Sequence, residues 1–447
     1  MTRRAASGTV LALAGALLAW PASAAATTEV GAGSPTLAAW REGALLVWQE
    51  GAIHLLHRET RILARRLDQH GQPVGNPLVI AQGATHSRPR AACLQDGRCL
   101  VAWQTIPDDG RDWDVLAARV DARKGAVLDP GGVPLDAGPR NQALPAVAAA
   151  GHRFAIVWQD MATDGFYELR LAILHAEMKP SESRVRALTY SGRQARRWLG
   201  YTPGWGWGRR PIHPGRARSP RVLGGEPHIA AVDGTRWLID WMDQTNWRPG
   251  HNVWVRLAVV HATGMAPPRI VSITEPPDPH SGQAPGVVIV ASENVAMHGT
   301  ALVTGRGGTT RVALGRLLDP ARLEWLRPAQ EDQGWRPARR WPGVFRLFGG
   351  TPVEGPLAGT RLGNKFVWLA RAPRGRRDRT PTRLILSALD REGRRLGTRT
   401  VHESRGAVED PAMAAVGEGL LVAFREDPDG SGRWLLRWLR IAKEALP

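Results

Sequence analysis

Three carboxylates stand where they could carry out acid–base chemistry. Glu50, Asp160 and Asp243 each follow a tryptophan by two residues. If the strands that end there run close to a common axis, the carboxylates could converge, and converging carboxylates bind cations or act as general acids and bases. The alternative is that they cap turns and bind backbone amides. We therefore treat these three residues as weak catalytic candidates.

The most unusual segment is a basic, aromatic stretch at 191–225, which contains eight arginines and no acidic residue. Aromatic faces stack on sugar rings, and guanidinium groups bind carboxylate, sulfate or phosphate. Its glycines and prolines exclude a long helix or strand, so we expect a loop, which often carries function. The candidate ligand-binding residues are Trp198, Tyr201, Trp205, Trp207, Arg209 and Arg210. Alternatively, the aromatics pack over a sheet and the arginines are solvated.

Other reactive patterns do not emerge from the sequence. The 13 histidines are scattered, and we find neither a metal-ligand spacing nor a phosphate-binding glycine loop nor a nucleophile motif. We therefore predict no metal and no cofactor. The two cysteines lie in the run CLQDGRC, which reads as a hairpin with the loop Gln95–Gly97. Cys93 and Cys99 would then face each other, and we predict a disulfide between them.

A repeat sets the positions of all these residues. Trp48, Trp103 and Trp158 are spaced by 55 residues, and Phe424 follows Trp368 by 56. The interval from Trp158 to Trp241 is 83, which corresponds to one repeat plus the basic insertion. Each copy begins with a proline and an Ala-Ala strand, turns at a glycine, and continues into a strand ending in tryptophan. We expect the recurring aromatics to pack between neighbouring units.

Third and fourth alternating strands follow in each copy, so the repeat consists of four short antiparallel strands. Radial repetition of such units is typical of a β-propeller. We predict an all-β chain with seven four-stranded blades, a ring closed by the N-terminal strand, and a smaller insertion at about 331–349. Six or eight blades, an open β-solenoid and two β-sandwiches are the alternatives.

The N-terminus and the charge point to export and to an anionic partner. Residues 1–24 have the basic, apolar and small-residue regions of a signal peptide, which leaves 25–447 as one domain. We expect no transmembrane segment after its removal and a periplasmic or secreted bacterial protein. The formal net charge of +18 favours an acidic polysaccharide or another envelope component, and export argues against nucleic acid.

The recurring pattern Pro…Ala…Val-x-Trp-Gln-Asp, which 145–160 approximates with Val157 directly before Trp158, resembles that of uncharacterised exported bacterial β-propeller repeat proteins. The resemblance covers most of 30–447 and implies a fold and a compartment, but no activity. Sialidase-like propellers are similar in architecture only. Their Asp-box motif has a partial match at 108–113, with the expected Ser and Thr replaced and at a different place in the blade.

Three functions remain open. The first is a non-catalytic propeller that binds an anionic partner through its basic, aromatic loops, which the missing catalytic motif favours. The second is a carbohydrate-active hydrolase or lyase with its site at the mouth of the central channel, which rests on the three carboxylates and on analogy. The third is a structural or assembly scaffold.

Overall fold

The structure is a computed structural model. It describes residues 26–29, 32–51, 60–107, 112–136, 141–161, 167–188, 227–244, 253–263, 269–273, 282–283, 287–292, 294–304, 310–326, 344–349, 351, 353–372 and 381–447. Within these ranges the chain is all-β, apart from two short 3₁₀ helices at Pro180–Glu182 and Lys443–Ala445. None of the described segments is a helix of the length and hydropathy needed to cross a membrane.

The strands form a β-propeller of six hydrogen-bonded sheets. The first strand of the chain is β1 (Ala26–Glu29). Sheet I contains β2 (Ala32–Trp40), β3 (Gly43–Glu50), β4 (Thr60–Asp68), β5 (Pro73–Cys93), β6 (Arg98–Ile106), β7 (Asp114–Asp121), β8 (Ala126–Val127) and β9 (Val133–Pro134). Sheet II contains β10 (Gln142–Ala150), β11 (Arg153–Met161), β12 (Tyr167–His175) and β13 (Arg184–Ala187). Sheet III contains β14 (His228–Ala231), β15 (Arg236–Gln244), β16 (Val253–His261) and β17 (Arg269–Ile273).

The other three sheets complete the ring. Sheet IV contains β18 (Gly282–Gln283), β19 (Val287–Ser292), β20 (Val295–Thr304), β21 (Thr310–Asp319), β22 (Glu324–Leu326) and β23 (Val344–Arg346). Sheet V contains β24 (Glu354–Leu362), β25 (Lys365–Ala372), β26 (Thr382–Leu389) and β27 (Arg395–Ser404). Sheet VI contains β28 (Ala407–Val416), β29 (Gly419–Asp427), β30 (Leu435–Ala442) and β1.

The sheets are not seven separate four-stranded units, so that part of the prediction is wrong as stated. Sheet I has eight strands because β5 pairs with β4 over its first part and with β6 over its second. No unpaired residue separates these two parts of β5, because Ala84 still pairs with Thr60 of β4 and Thr85 already pairs with Ile106 of β6. Sheet IV has six strands because β18 and β19 both pair with β20, and β22 and β23 both pair with β21. Of the predicted insertion at 331–349, residues 331–343 lie outside the described ranges.

The two ends of the chain meet in sheet VI. Strand β1 pairs antiparallel with β30, with Ala26 opposite Trp438 and Glu29 opposite Leu435. This confirms that the N-terminal strand closes the ring. The first strands of the repeats contact one another in a closed cycle that runs β2, β5, β10, β14, β19, β24, β28 and back to β2. These strands therefore surround the axis of the propeller.

The contacts between neighbouring units form the core, and the recurring aromatics lie in them. Trp103, Trp158 and Trp368 are fully buried, while Trp48 and Trp241 are 4% and 7% exposed. Trp158, for example, belongs to an apolar cluster that joins sheet II to the second half of sheet I. The prediction that these tryptophans are structural is confirmed. Trp368 lies three residues after the first paired residue of its hairpin, whereas Trp48 lies five residues after.

The predicted hairpin at the cysteines is also confirmed. Cys93 pairs with Cys99 across β5 and β6, and their sulfur atoms are bonded. The amide of Leu94 donates to the carbonyl oxygen of Arg98 at 2.8 Å, which closes the loop. Gly97 has a φ of +85°, a conformation that glycine adopts without steric cost.

A β-bulge before a proline recurs at the start of the first strands, at the end of the propeller that we name the bulge end. Ser34, Arg88, Leu144 and Asp410 have φ values of +47° to +55°, and each precedes a proline. The Leu144 amide donates to Gln104 Oε1 at 3.0 Å, which links neighbouring units. The opposite end, where the hairpins between first and second strands turn, is named the turn end.

Candidate functional site

The structure places two of the three predicted carboxylates in ion pairs with arginine. Glu50 is paired with Arg61 of the adjacent strand in sheet I, and its side chain is 12% exposed. Asp160 is 1% exposed and lies 2.9 Å from Arg170 Nε in sheet II. Asp243 lies opposite Trp254 in the backbone ladder of sheet III, and its side chain is outside the described part. Glu50 and Asp160 thus serve separate sheets, and the contacts described for them are ion pairs with arginine.

The predicted ligand-binding residues all lie in the basic insertion, which falls outside the described ranges. Their role therefore stays a prediction. The described part of the chain instead contains a buried polar cluster that sequence reasoning did not single out. It lies between sheets III and IV.

Asp240 is at the centre of this cluster. It occupies the position before Trp241 in β15, is 1% exposed, and pairs with His228 of β14 in the ladder. The corresponding positions of the other units carry apolar residues. They are Val47, Ala102, Val157, Leu369 and Ala423. A carboxylate at this register is therefore a departure from the repeat. Because a buried charge is costly without partners, Asp240 needs partners here.

Asp240 has a partner on each side. His298 Nε2 lies 2.9 Å from Asp240 Oδ2 across the contact between the sheets, and His298 is fully buried in β20. His228 Nδ1 lies 3.2 Å from Asp240 Oδ1, and the side chain of His228 is 29% exposed. The position of His298 is also apolar in other units. The residues there are Leu46, Val101, Ile156, Ile239, Trp368 and Val422.

Arg316 extends the cluster away from the axis. It stands opposite His298 in the ladder between β20 and β21 and is 3% exposed. Its guanidinium carbon lies 5.7 Å from the ring centroid of Trp325, a cation–π contact. The four charged or titratable side chains thus run outward in the order His228, Asp240, His298 and Arg316. His228, on the first strand, is the member nearest the axis.

Burial and charge set the protonation states. Burial alone raises the pKa of Asp240, but the charges and hydrogen bonds of His228 and His298 outweigh it and lower that pKa below its ordinary value. Burial lowers the pKa of His298, and the charge of Arg316 lowers it further, against the opposing effect of Asp240. Burial lowers the pKa of Arg316 to about 9. At neutral pH the interior therefore holds an aspartate, a neutral histidine and an arginine cation.

This arrangement fits a histidine that transfers protons. A buried carboxylate that accepts from one ring nitrogen fixes the tautomer and the ring orientation, and it makes the other nitrogen the basic one. Asp240 at His228 Nδ1 would therefore leave Nε2 as the acid–base atom of this side chain, which is 29% exposed. Among the described residues, no group of three or more His, Cys, Asp or Glu could hold a metal ion.

One half of the cluster had a signal in the sequence. The copies aligned on their tryptophans show Asp240 where other copies have Val or Ala, and that substitution could have been noticed. His298 had no such signal, because its unit lacks the tryptophan and its copy of the repeat is weak. The contact between Asp240 and His298 spans 58 residues and is visible only in the folded chain.

The fold places the chain among β-propellers. No protein-family model and no curated protein sequence matches the chain. The polysaccharide lyase Uly1 has a TM-score of 0.55 at 9% identity, over 93% of this chain and 91% of that chain. An α-L-arabinanase of Penicillium chrysogenum has a TM-score of 0.45 at 10% identity, over 95% and 99%. A mutant of the NanB sialidase from Streptococcus pneumoniae has a TM-score of 0.45 at 10% identity, over 95% and 70%. The similarity to Uly1 describes the fold alone.

Proposed function

We propose that the chain is a carbohydrate-active enzyme that cleaves an acidic polysaccharide by proton transfer through His228. The observation that carries the proposal is the line of contacts from His228 through Asp240 to His298. Other units carry apolar residues at the positions of Asp240 and His298. Buried ion pairs contribute little net stability to a fold. Replacing an apolar contact by charged groups therefore favours a role in function.

Elimination fits these residues better than hydrolysis. Glycoside hydrolysis generally uses two carboxyl groups on either side of the bond, and Glu50 and Asp160 are engaged by arginines in separate sheets. In elimination, His228 Nε2 would take the C5 proton of a uronate. The C4=C5 double bond forms, the bond from C4 to the bridging oxygen breaks, and that oxygen takes a proton from the solvent.

The first strands of the other units would line the path of the polymer past His228. The corresponding first-strand positions in other units are mostly small, namely Thr36, Ala146, Ala358 and Ala412. Arg90 occupies the same position in the second half of sheet I and is partly exposed. Its guanidinium would stabilise the negative charge that develops on the uronate carboxylate. The net charge of +18 would attract such a polymer.

The test is a panel of uronate polysaccharides followed by ultraviolet absorbance of the unsaturated product. His228→Ala should lower the rate by about 100- to 10,000-fold, the usual contribution of a general base. His175→Ala, at an exposed histidine of sheet II, is the matched control and should leave the rate unchanged. Reducing ends released without the absorbance would contradict elimination, and full activity of His228→Ala would contradict the site.

A second candidate function is binding of an anionic envelope component through the basic insertion. The net charge and the eight arginines at 191–225 favour it. The protein should be retained on heparin at low salt, and replacing Trp205, Trp207, Arg209 and Arg210 by alanine should abolish that retention. Unchanged retention would exclude the insertion as the binding segment. We also propose a periplasmic or secreted location, which fractionation of the source cells would test.

We further propose that the ring contains seven blades, with sheet I counting as two. The cycle of first strands supports this count, because both β2 and the second part of β5 belong to it. The ladder between β4 and the first part of β5 completes one unit, and β5 to β9 form the next. An experimental structure would contradict the proposal if the two halves of sheet I faced the axis as a single blade.

A further inference from the structure

A cavity lies at the turn end of the propeller. It has a volume of about 700 Å³ and opens between the two halves of sheet I. A smaller cavity of about 220 Å³ shares Glu42, Asp96 and Arg123 with it and extends to Gly151 and His152 of sheet II. The two form a groove across neighbouring units, of a size typical of small-ligand sites.

Arg66 holds one wall of this groove in place. Its Nη1 donates to the carbonyl oxygens of Ala122 at 3.4 Å and Arg123 at 3.0 Å, which ties the first half of sheet I to the second. Gly125, with a φ of +71°, lies so close that a Cβ there would stand 2.9 Å from the guanidinium carbon. The guanidinium is therefore confined between backbone segments, and the wall is formed before any ligand arrives.

The charged groups of the groove balance one another. Arg98 Nε donates to Asp96 Oδ2 at 2.8 Å. Arg123 Nε lies 3.7 Å from Glu42 Oε2, and Lys124 Nζ lies 3.5 Å from Asp121 Oδ2. A bare ion would have to displace one of these partners, whereas a neutral ligand with hydroxyl groups can donate to the carboxylates and accept from the cations without displacing either.

Apolar side chains line the same groove beside these pairs. Trp40, Leu67 and Val74 contribute to its wall, and Val74 supplies most of the exposed apolar surface, because it is 40% exposed whereas Trp40 and Leu67 are 7% and 0% exposed. A pyranose ring presents C–H groups on its faces and hydroxyls at its edge, so it matches a wall that combines apolar side chains with alternating charges. We infer that the turn-end groove is a binding site for a neutral oligosaccharide. It is independent of cleavage at His228.

The test is calorimetric titration of the full-length protein with cellohexaose, mannohexaose, maltohexaose and β-1,4-galactohexaose. At least one should bind with a Kd below ~1 mM. Val74→Arg, which places a long cation in the groove, should weaken binding at least tenfold. The matched control is Val79→Arg, because Val79 is an equally exposed valine of β5 outside the groove wall, and it should bind as the unaltered protein does.

A second pair of variants keeps the test independent of β5. Glu42→Ala should weaken binding, whereas Glu418→Ala, at the corresponding hairpin turn of sheet VI, should not. His228→Ala should bind the neutral hexasaccharide as tightly as the unaltered protein does. The binding result therefore stands even if the cleavage assay fails. Three results would overturn the inference: no binding of any of the four hexasaccharides, equal binding by the two valine variants, or tighter groove binding of hexagalacturonate than of every neutral probe.

Discussion

Two contacts between neighbouring units share a backbone register and differ in chemistry. Between the second half of sheet I and sheet II, Ala102 faces a cluster that contains Ile156 and Trp158, and all of its buried members are apolar. Between sheets III and IV, Asp240 occupies the position of Ala102 and His298 occupies that of Ile156, and their side chains are 2.9 Å apart. The comparison shows that the backbone of the repeat tolerates a polar cluster at a place built for apolar packing, provided that every charge has a partner.

The two contacts differ in what they contribute. Apolar burial stabilises by roughly 25 cal/mol per Å², so the first contact holds the ring together. The second contact replaces part of that gain by charges whose desolvation offsets most of their attraction. We expect an inserted charge to destabilise the first contact, and the loss of one charged partner to destabilise the second.

The largest effect should come from inserting a charge into the apolar contact. Ala102→Asp copies the aspartate of sheet III without its histidine partners. The carboxyl group must then be buried as an ion or protonated at neutral pH, which should lower the free energy of unfolding by about 5 kcal/mol or more. Urea titration at pH 7 measures it. A loss below about 1 kcal/mol would show that the apolar contact tolerates an unpartnered charge, which would contradict the comparison.

Removing the central charge of the polar contact should cost nearly as much. Asp240→Ala removes the buried carboxylate that His228 and His298 both contact, and it should destabilise by about 3–5 kcal/mol. The triple variant Asp240→Val, His298→Leu and Arg316→Met restores an apolar contact and should recover most of that loss. The same urea titration compares them. A triple variant no more stable than Asp240→Ala would mean that shape, and not charge, governs this contact.

Acidification should weaken the polar contact in particular. The folded pKa of His298 is lowered, so the unfolded chain binds more protons once the pH falls below its ordinary value of about 6.5. The pKa of Asp240 is also lowered, and its contribution is present above about 3.9 and lost as pH falls further. The free energy of unfolding should fall by up to about 1.4 kcal/mol per pH unit, below pH 6.5 through His298 and below about pH 3.9 through Asp240. In His298→Leu the slope between about pH 6.5 and 4 should flatten, and an unchanged slope would assign it to other residues.

The smallest effect should come from the disulfide that closes a hairpin on the apolar side. Replacing Cys93 and Cys99 by serine opens a short loop, and loop-closure entropy gives about 2 kcal/mol. Thermal unfolding with and without reductant measures the same loss in the unaltered protein. The double variant should show no response to reductant. A loss larger than that of Asp240→Ala would reverse the order expected from the comparison.

Much of the fold was predictable because it is encoded by local repetition. The spacing of Trp48, Trp103 and Trp158 indicated the unit, and all three are buried between neighbours. The loop before Cys99 and the closing role of the N-terminal strand followed from turn chemistry and from the strand missing at the other end. The number of separate sheets did not follow, because hydrogen bonding through β5 depends on a short link that the pattern does not distinguish from a break.

The candidate site was less predictable, and particular residues show why. Glu50 and Asp160 attracted attention through their place after a tryptophan, but the next strand supplies Arg61 and Arg170 at hydrogen-bonding distance. Their partners follow from the cross-strand register, which sequence alone does not fix. His228 had no motif around it, and only the pairing of β14 with β15 places Asp240 beside it.

The amino-acid sequence by itself determined the repeat, the all-β class, the buried aromatics and the disulfide. Each depends on residues close together in the chain or on a period that repeats, so local propensity and hydrophobic spacing are sufficient. Only the tertiary structure decided which polar side chains meet. The distance of 2.9 Å between His298 and Asp240 joins two sheets across 58 residues, and it arises from closure of the ring, which presses the face of one unit against the next.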